Sequence, residues 1–300
     1  MPSPSSSLRR ARPWLGTVVD IAIEGPEHHL DAAMAAAFAA IETVHGLMSF
    51  HEAASDVSRI NAVPTGVEIA IDPHTAAVLA MACDLSERSA GAFDITTAAR
   101  LVVDGFLPPH ADFPTPDKQA DYRDLRLLDG NRVRWLRKGW IDLGGVAKGY
   151  AVDCAVAELQ AHGVSDGVVN AGGDLRCFGR PQAITVRHPF DPGRVLALGY
   201  LTDAAIATSA GYFSQRTIAD GIVEPLVDPA HGRCVSWRGS TSVVAPDCAT
   251  ADALTKIVRL APERALDMLA RLGAQAIVVD EAGVRSAGAT LLQSELEQTQ

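Results

Sequence analysis

The sequence predicts an α+β fold in a single compact domain, on three observations. Strand-type and helix-type apolar periodicities are mixed without a regular βαβ rhythm, which argues against a doubly wound parallel sheet. No Pro/Gly/Ser-rich linker divides the 300 residues, a length that one large domain can hold. No self-similarity recurs at a fixed period of about 20–50 residues, so a solenoid or propeller is excluded.

The elements follow in order. Residues 16–23 alternate, with Val18, Val19, Ile21 and Ile23, and read as a strand. Leu30, Met34, Phe38, Ile41, His45 and Met48 fall at helical spacing, so 29–47 reads as a helix with a buried stripe. Residues 48–61 (MSFHEAASDVSRIN) have no clean period and read as a loop with a helical turn. A short strand at 69–72 precedes a helix to about 89, with Pro73 at its first position and Gly91 just past its end. The proline-dense stretch 107–116 is a loop. Asp129-Gly130-Asn131 between two apolar runs, 125–128 and 133–136, signals a hairpin.

A strand at 140–143 runs into Gly144-Gly145 and a helix at 146–161, stopped by Gly163. Further strands are read at 167–170, 175–178, 184–187, 196–202, 205–209, 240–245 and 275–279, and helices at 250–260 and 262–272. Residues 1–15 and 291–300 read as polar tails, the first of them disordered, around a domain at 16–290.

Composition narrows the function. Hydrophobic residues are 48% and charged residues 21%, the balance of a globular chain. Net charge is −10 and no Lys/Arg run exceeds two residues, so a general polyanion-binding role is not expected. Aromatics at 5% argue against a stacking platform for single-stranded nucleic acid. Five cysteines without CxxC spacing read as reduced thiols. Arg9-Arg10 is not followed by the apolar stretch of a signal, no early cysteine offers a lipidation site, and no membrane span is read. A cytoplasmic protein is the expectation.

Only four lysines occur, Lys118, Lys138, Lys148 and Lys256, against 26 basic residues in all, so a lysine within a motif carries information. Residues 141–153 (IDLGGVAKGYAVD) run from a strand through two glycines into a helix. Free N–H groups at that helix start would face a phosphate, with Lys148 adding charge, or the segment is an ordinary glycine-rich strand–helix turn with a solvated lysine. In VVNAGGD, at 168–174, Gly172 and Gly173 make a tight turn edged by Asn and Asp174. In GAFDITT, at 91–97, Asp94 and Thr96 alternate with Phe93 and Ile95, as a ligand-reading edge or a helix cap. In ADALTK, at 251–256, Asp252 and Lys256 are four apart on one helix face. VDPAHG, at 227–232, is a turn carrying Asp228 and His231.

Taken in this order, together with 48–61 and ATSAGY at 207–212, these segments resemble the ApbE-like flavin transferase family, FAD:protein FMN transferases. The resemblance runs from Gly16 to about Leu272. It implies two lobes around a flavin cleft, with FAD as substrate and Mg²⁺ beside its pyrophosphate. It implies transfer of FMN to a threonine of an acceptor protein with release of AMP. Alternatives are an FAD-binding protein without transferase activity, and an FAD pyrophosphatase giving FMN and AMP.

By this similarity Met48, Ala92, Phe93, Asp94, Lys148, Gly172, Gly173 and Asp174 hold the flavin nucleotide. Asp252 and the Ala151 carbonyl hold the metal. Two positions depart from the family pattern. Lys256 stands where a threonine is usual four residues after the metal aspartate, leaving Thr255 as the neighbouring candidate ligand. Pro225 stands where a histidine often precedes the DP turn by three residues, and His231 replaces that turn's threonine. His231, oriented by Asp228, is the candidate catalytic base, the alternative being a solvent-facing histidine in a proline turn.

Overall fold

A computed structural model of the chain describes residues 5–211, 215–218 and 221–293. In chain order the elements are β1 (Ser5–Trp14), β2 (Thr17–Pro26), α1 (Glu27–Met48), α2 (Asp56–Ala62), β3 (Glu68–Ala70), α3 (Pro73–Arg88), α4 (Ala98–Val103), a 3₁₀ turn (Tyr122–Asp124), β4 (Leu125–Leu128), β5 (Arg132–Trp135) and α5 (Ala147–Ala161). Then come β6 (Asp166–Ala171), β7 (Asp174–Phe178), β8 (Gln182–His188), β9 (Asp191–Leu201), β10 (Ala205–Ala210), β11 (Arg216–Ile218), β12 (Gly221–Val223), β13 (Val227–Asp228) and β14 (Arg233–Cys234). The chain finishes with β15 (Ser240–Ala245), α6 (Cys248–Leu260), α7 (Pro262–Arg271), β16 (Gln275–Asp280) and β17 (Gly283–Gly288).

Eight strands form one antiparallel sheet in the order β1-β2-β6-β7-β10-β15-β16-β17. Its strands alternate between two cores, as the period of two requires. Val169, Ala171, Ala205, Ala207, Val243, Ala245 and Ala276 face α1, α5, α6 and α7. Val168, Leu175, Cys177, Ile206, Val244 and Ile277 join the β8–β9 hairpin, through Ile184 and Leu201, on the other side. The helix side is rich in alanine, which lets helices approach the sheet closely. A second, three-stranded sheet, β3-β5-β4, packs with α2 and α3 in the same core as α6 and α7. The structure is thus α+β, as the sequence predicts.

Three readings change. Residues Ser5–Trp14 are not a tail but an edge strand, paired with β2 along its whole length. The sequence hides it because Ser, Arg and Pro carry no strand pattern; backbone pairing and the Arg9–Asp20 ion pair hold it. The expected strand at 140–143 makes only one bridge, Trp140 to Thr97, because the Ile141 N–H and carbonyl are both taken by the Asn61 side chain of α2. Residues 56–62 form a complete short helix, capped by the Ser55 hydroxyl accepting from the Ser58 N–H at 3.0 Å. Among the described residues, α1 is long and apolar enough to cross a membrane by length and composition; its Leu30, Met34, Phe38 and Ile41 are buried against β2 and α5.

Candidate functional site

Helix α5 is the point at which the sequence motifs meet. The loop that feeds it is fixed by Asn61, fully buried, which donates to the Ile141 carbonyl at 2.8 Å and accepts from the Ile141 N–H at 2.7 Å. That bond ties the end of MSFHEAASDVSRIN to the start of IDLGG. One residue on, the Asp142 N–H donates to the Ile95 carbonyl at 2.9 Å, which brings GAFDITT alongside. Asp142 itself is desolvated, and burial pushes its carboxyl up; the Gly144 N–H, His51 and Lys256 pull it the other way.

No side chain caps the start of α5. Its Gly149 N–H donates instead to the Asp252 carboxylate at 3.3 Å. This contact needs glycine: a Cβ at Gly149 would lie 2.3 Å from the Cys248 carbonyl oxygen, at the first residue of α6. Further along α5, the Asp153 carboxylate accepts from the Cys248 and Ala249 N–H groups, both at 2.9 Å, and from Arg176 at 2.7 Å. An acidic group at a helix N-terminus satisfies its orphan donors and its dipole together. Asp153 thereby fixes α6, and with it Asp252 and Lys256, against α5.

Two ammonium–carboxylate pairs result. Lys148 pairs with Asp174, which is buried at the start of β7 beyond the Gly172-Gly173 turn. That turn is closed by the Gly173 N–H donating to Asn170 Oδ1 at 2.9 Å, and a Cβ at Gly172 would strike Thr17 Oγ1 at 2.4 Å. Lys256 pairs with Asp252, 1% exposed, and also donates to the Asp252 backbone carbonyl at 2.9 Å. Burial pushes the Lys148 ammonium below its ordinary value; Asp252 pulls it back up and Lys256 presses it further down. The two pairs therefore share one electrostatic neighbourhood.

The other expected nucleotide contacts are placed as follows. Phe93 and Met48 are buried in the core, with the Phe93 ring 3.4 Å from where a Gly145 Cβ would stand. The half-buried Asp94 accepts from the Thr96 N–H and hydroxyl, at 2.7 and 2.6 Å, and from the Tyr122 N–H at 3.3 Å. Burial pushes its carboxyl up while those donors pull it down. Ala92 lies half-buried in the same turn.

The expected metal ligands do not fit a divalent cation. The Asp252 oxygens are taken by Lys256 and the Gly149 N–H. The Thr255 hydroxyl, fully buried, donates to the Asp252 carbonyl at 2.7 Å. Ala151 is fully buried inside α5, where the helix's own ladder takes its carbonyl. Mg²⁺ needs open oxygen ligands in near-octahedral array, and these residues do not offer them.

His231 and Asp228 lie on the β13–β14 turn. His231 Nδ1 lies 2.6 Å from Asp228 Oδ2, the imidazole being largely exposed. Asp228 borders a cavity of about 740 Å³, together with Trp237, Val258, Arg259 and Leu269. Pro225 is exposed beside it. Tyr212, at the end of ATSAGY, lies outside the described residues.

Sequence reasoning missed the pair that closes this side. Arg259 and Glu224, 5% and 4% exposed, form a buried two-point ion pair, with one bond from Arg259 Nη1 at 3.1 Å. The guanidinium lies 4.5 Å over the Trp237 ring. The signal was available, since Asp252, Lys256 and Arg259 fall at i, i+4 and i+7 on one stripe of α6. Asp153 and Asn61 were also missed; nothing local marks a residue that bonds about 80 or more positions away.

An antiparallel sheet with helices gathered on one face is an α+β architecture. Within that class the chain belongs to the ApbE family, whose sequence profile matches residues 15–278. It is similar to the FAD:protein FMN transferase of Rhodobacter capsulatus, 30% identical over 285 residues, covering 88% of this chain and 53% of that one. The chain thus spans about half the length of that relative. The FAD:protein FMN transferase of Vibrio cholerae serotype O1 is 29% identical over 246 residues, 75% of this chain and 72% of its own. The crystal structure of the ApbE protein from Thermotoga maritima matches with a TM-score of 0.82 at 26% identity, covering 98% of both chains. The flavin transferase ApbE from Vibrio cholerae shares the fold, with a TM-score of 0.80 over 96% of this chain and 98% of that one.

Proposed function

We propose that this chain is a flavin transferase that binds FAD, splits it at the pyrophosphate, passes FMN to a threonine hydroxyl of an acceptor protein and releases AMP. The observation that carries the reading is the meeting of Lys148–Asp174 and Lys256–Asp252 at the α5 start, where four separate motifs converge. Paired ammonium groups in a partly desolvated site stabilise charge on a dividing pyrophosphate. The family relatives named FAD:protein FMN transferase supply the substrate and the acceptor class.

In the step proposed, the threonine oxygen attacks the phosphorus of the FMN half. A phosphoester P–O bond forms, the anhydride P–O bond breaks, and AMP leaves with the bridging oxygen. The hydroxyl proton passes to a base, for which His231, held by Asp228, is the candidate. Water in place of threonine gives FMN and AMP, the pyrophosphatase reaction.

Incubation with FAD, with and without a threonine-bearing acceptor peptide, tests the reading. Expected are AMP release and a peptide mass gain equal to FMN less water. AMP with free FMN only would make the protein a hydrolase. FAD binding without AMP would make it a carrier.

A further inference from the structure

The Lys256 ammonium spans both the side-chain oxygen Oδ1 and the backbone oxygen of Asp252. Those are two oxygens that a metal ion at this residue would use. The Asp252 charge is therefore already met from within the chain, and the Gly149 N–H takes the remaining oxygen at 3.3 Å. An ammonium carries three donors. Two are spent on Asp252, which leaves one for a ligand oxygen.

The surroundings are open to such a ligand. Lys256 keeps 17% of its side chain exposed although Asp252 keeps only 1%. Gly145, the residue before the α5 cap, lies between Lys256 and Phe93: a Cβ there would stand 3.7 Å from Lys256 Cε and 3.4 Å from the Phe93 ring. Without that Cβ the backbone leaves a gap beside the ammonium. Lys148, on the same face of the junction, supplies a second positive charge in electrostatic contact with Asp252 and Lys256.

We infer that Lys256 is a built-in cation which, with Lys148, clamps the pyrophosphate of the bound dinucleotide in the position a divalent metal would otherwise take. The inference rests on the flavin reading above for the identity of the dinucleotide. A lysine is a compact point charge, suited to replace a small cation where an arginine fork is not required. Binding of FAD is consequently independent of divalent metal.

The test is FAD titration of the whole chain, followed by flavin fluorescence, in EDTA and in Mg²⁺. The expected dissociation constants agree within about threefold. Lys256→Met weakens FAD binding by about tenfold or more, the worth of one charge-assisted bond, and Lys256→Arg recovers part of it. Mn²⁺ titrated without FAD gives no tightly bound signal by electron paramagnetic resonance. FAD binding lost in EDTA and restored by Mg²⁺ overturns the clamp, and so does stoichiometric Mn²⁺ on the wild type. This comparison needs only the wild type, so a poorly folding Lys256→Met does not spare the inference. A folded wild type that binds FAD in neither buffer removes the flavin reading, and the clamp with it.

Discussion

Gly149 of α5 lies directly against the backbone carbonyl of Cys248, the first residue of α6, with no room for a Cβ between them. The junction concentrates three separate tasks. Asp153 caps α6, the Gly149 N–H reaches Asp252, and Lys148 faces Asp174. Stability and site geometry are therefore coupled at one backbone contact, and a substitution there moves both.

Gly149→Ala is expected to cost about 3 kcal/mol, because the methyl meets backbone that neither helix can turn aside. Urea denaturation measures it. FAD affinity should fall in the same variant, since α6 carries Asp252 and Lys256 away from α5. A variant with wild-type stability would show that the two helices separate freely.

Lys138 gives a stability signature in alkali. It is 7% exposed and donates to the Ile60 and Val63 carbonyls at 3.2 and 2.8 Å, with no carboxylate among these bonds. Burial pushes its ammonium from 10.5 down to about 8. Between those values the unfolded chain holds a proton that the folded chain has released, so stability rises with pH across that window. Below about 8 both states are protonated and the penalty is complete; above 10.5 it is gone. The gap corresponds to on the order of 3 kcal/mol. The stability difference between wild type and Lys138→Met should therefore grow in favour of the wild type as pH rises from about 8 towards 10.5. A flat difference would show that Lys138 stays charged when buried.

His231→Ala should lower turnover by roughly 10²-fold while FAD affinity stays near the wild-type value, if the imidazole takes the acceptor proton. Its exposure and its contact with Asp228 at 2.6 Å suit a base that meets an incoming protein hydroxyl. Thermal unfolding should not change, because the exposed ring fills no core. Unchanged turnover in a preparation that releases AMP would remove His231 from the mechanism.

The sequence was most legible where local rules govern. The Asp129-Gly130-Asn131 turn joins β4 to β5 with Gly130 and Asn131 both at positive φ, a conformation those two residue types tolerate. Pro73 opens α3 and Asp72 caps it, accepting from the His74 N–H at 2.8 Å. Asp94 was legible only as a choice: its two bonds from Thr96 make it a turn cap, while the bond from the Tyr122 N–H comes from 28 positions away and has no local signal. β1 and β17 were illegible, since an edge strand paired on one side needs no apolar alternation. The i,i+4 spacing of Asp252 and Lys256 marks their pairing in the sequence, but a helical ion pair and a saturated metal position look identical there. Only the third partner, Gly149 from the neighbouring helix, distinguishes them.

Arg259 and Glu224 supply the last expectation. Both are at least nine-tenths buried, and each carries a charge that only the other offsets at two-point contact. Removing one leaves the other desolvated and alone, so Arg259→Met should cost about 3–5 kcal/mol, and Glu224→Gln a comparable amount. Removing both leaves no stranded charge, and Met can still pack on Trp237, where the guanidinium now lies 4.5 Å from the ring. The double variant should accordingly be more stable than either single variant, with a coupling of about 2 kcal/mol or more in a double-mutant cycle. The same cycle separates fold from function. Glu224 leads into the strand that carries Asp228, so Arg259→Met should also loosen the β13–β14 turn and raise hydrogen exchange at Val227 and Cys234, which pair across it. If the two single costs simply add, the ion pair does not act as a unit, and the turn that holds His231 is positioned by something other than α6.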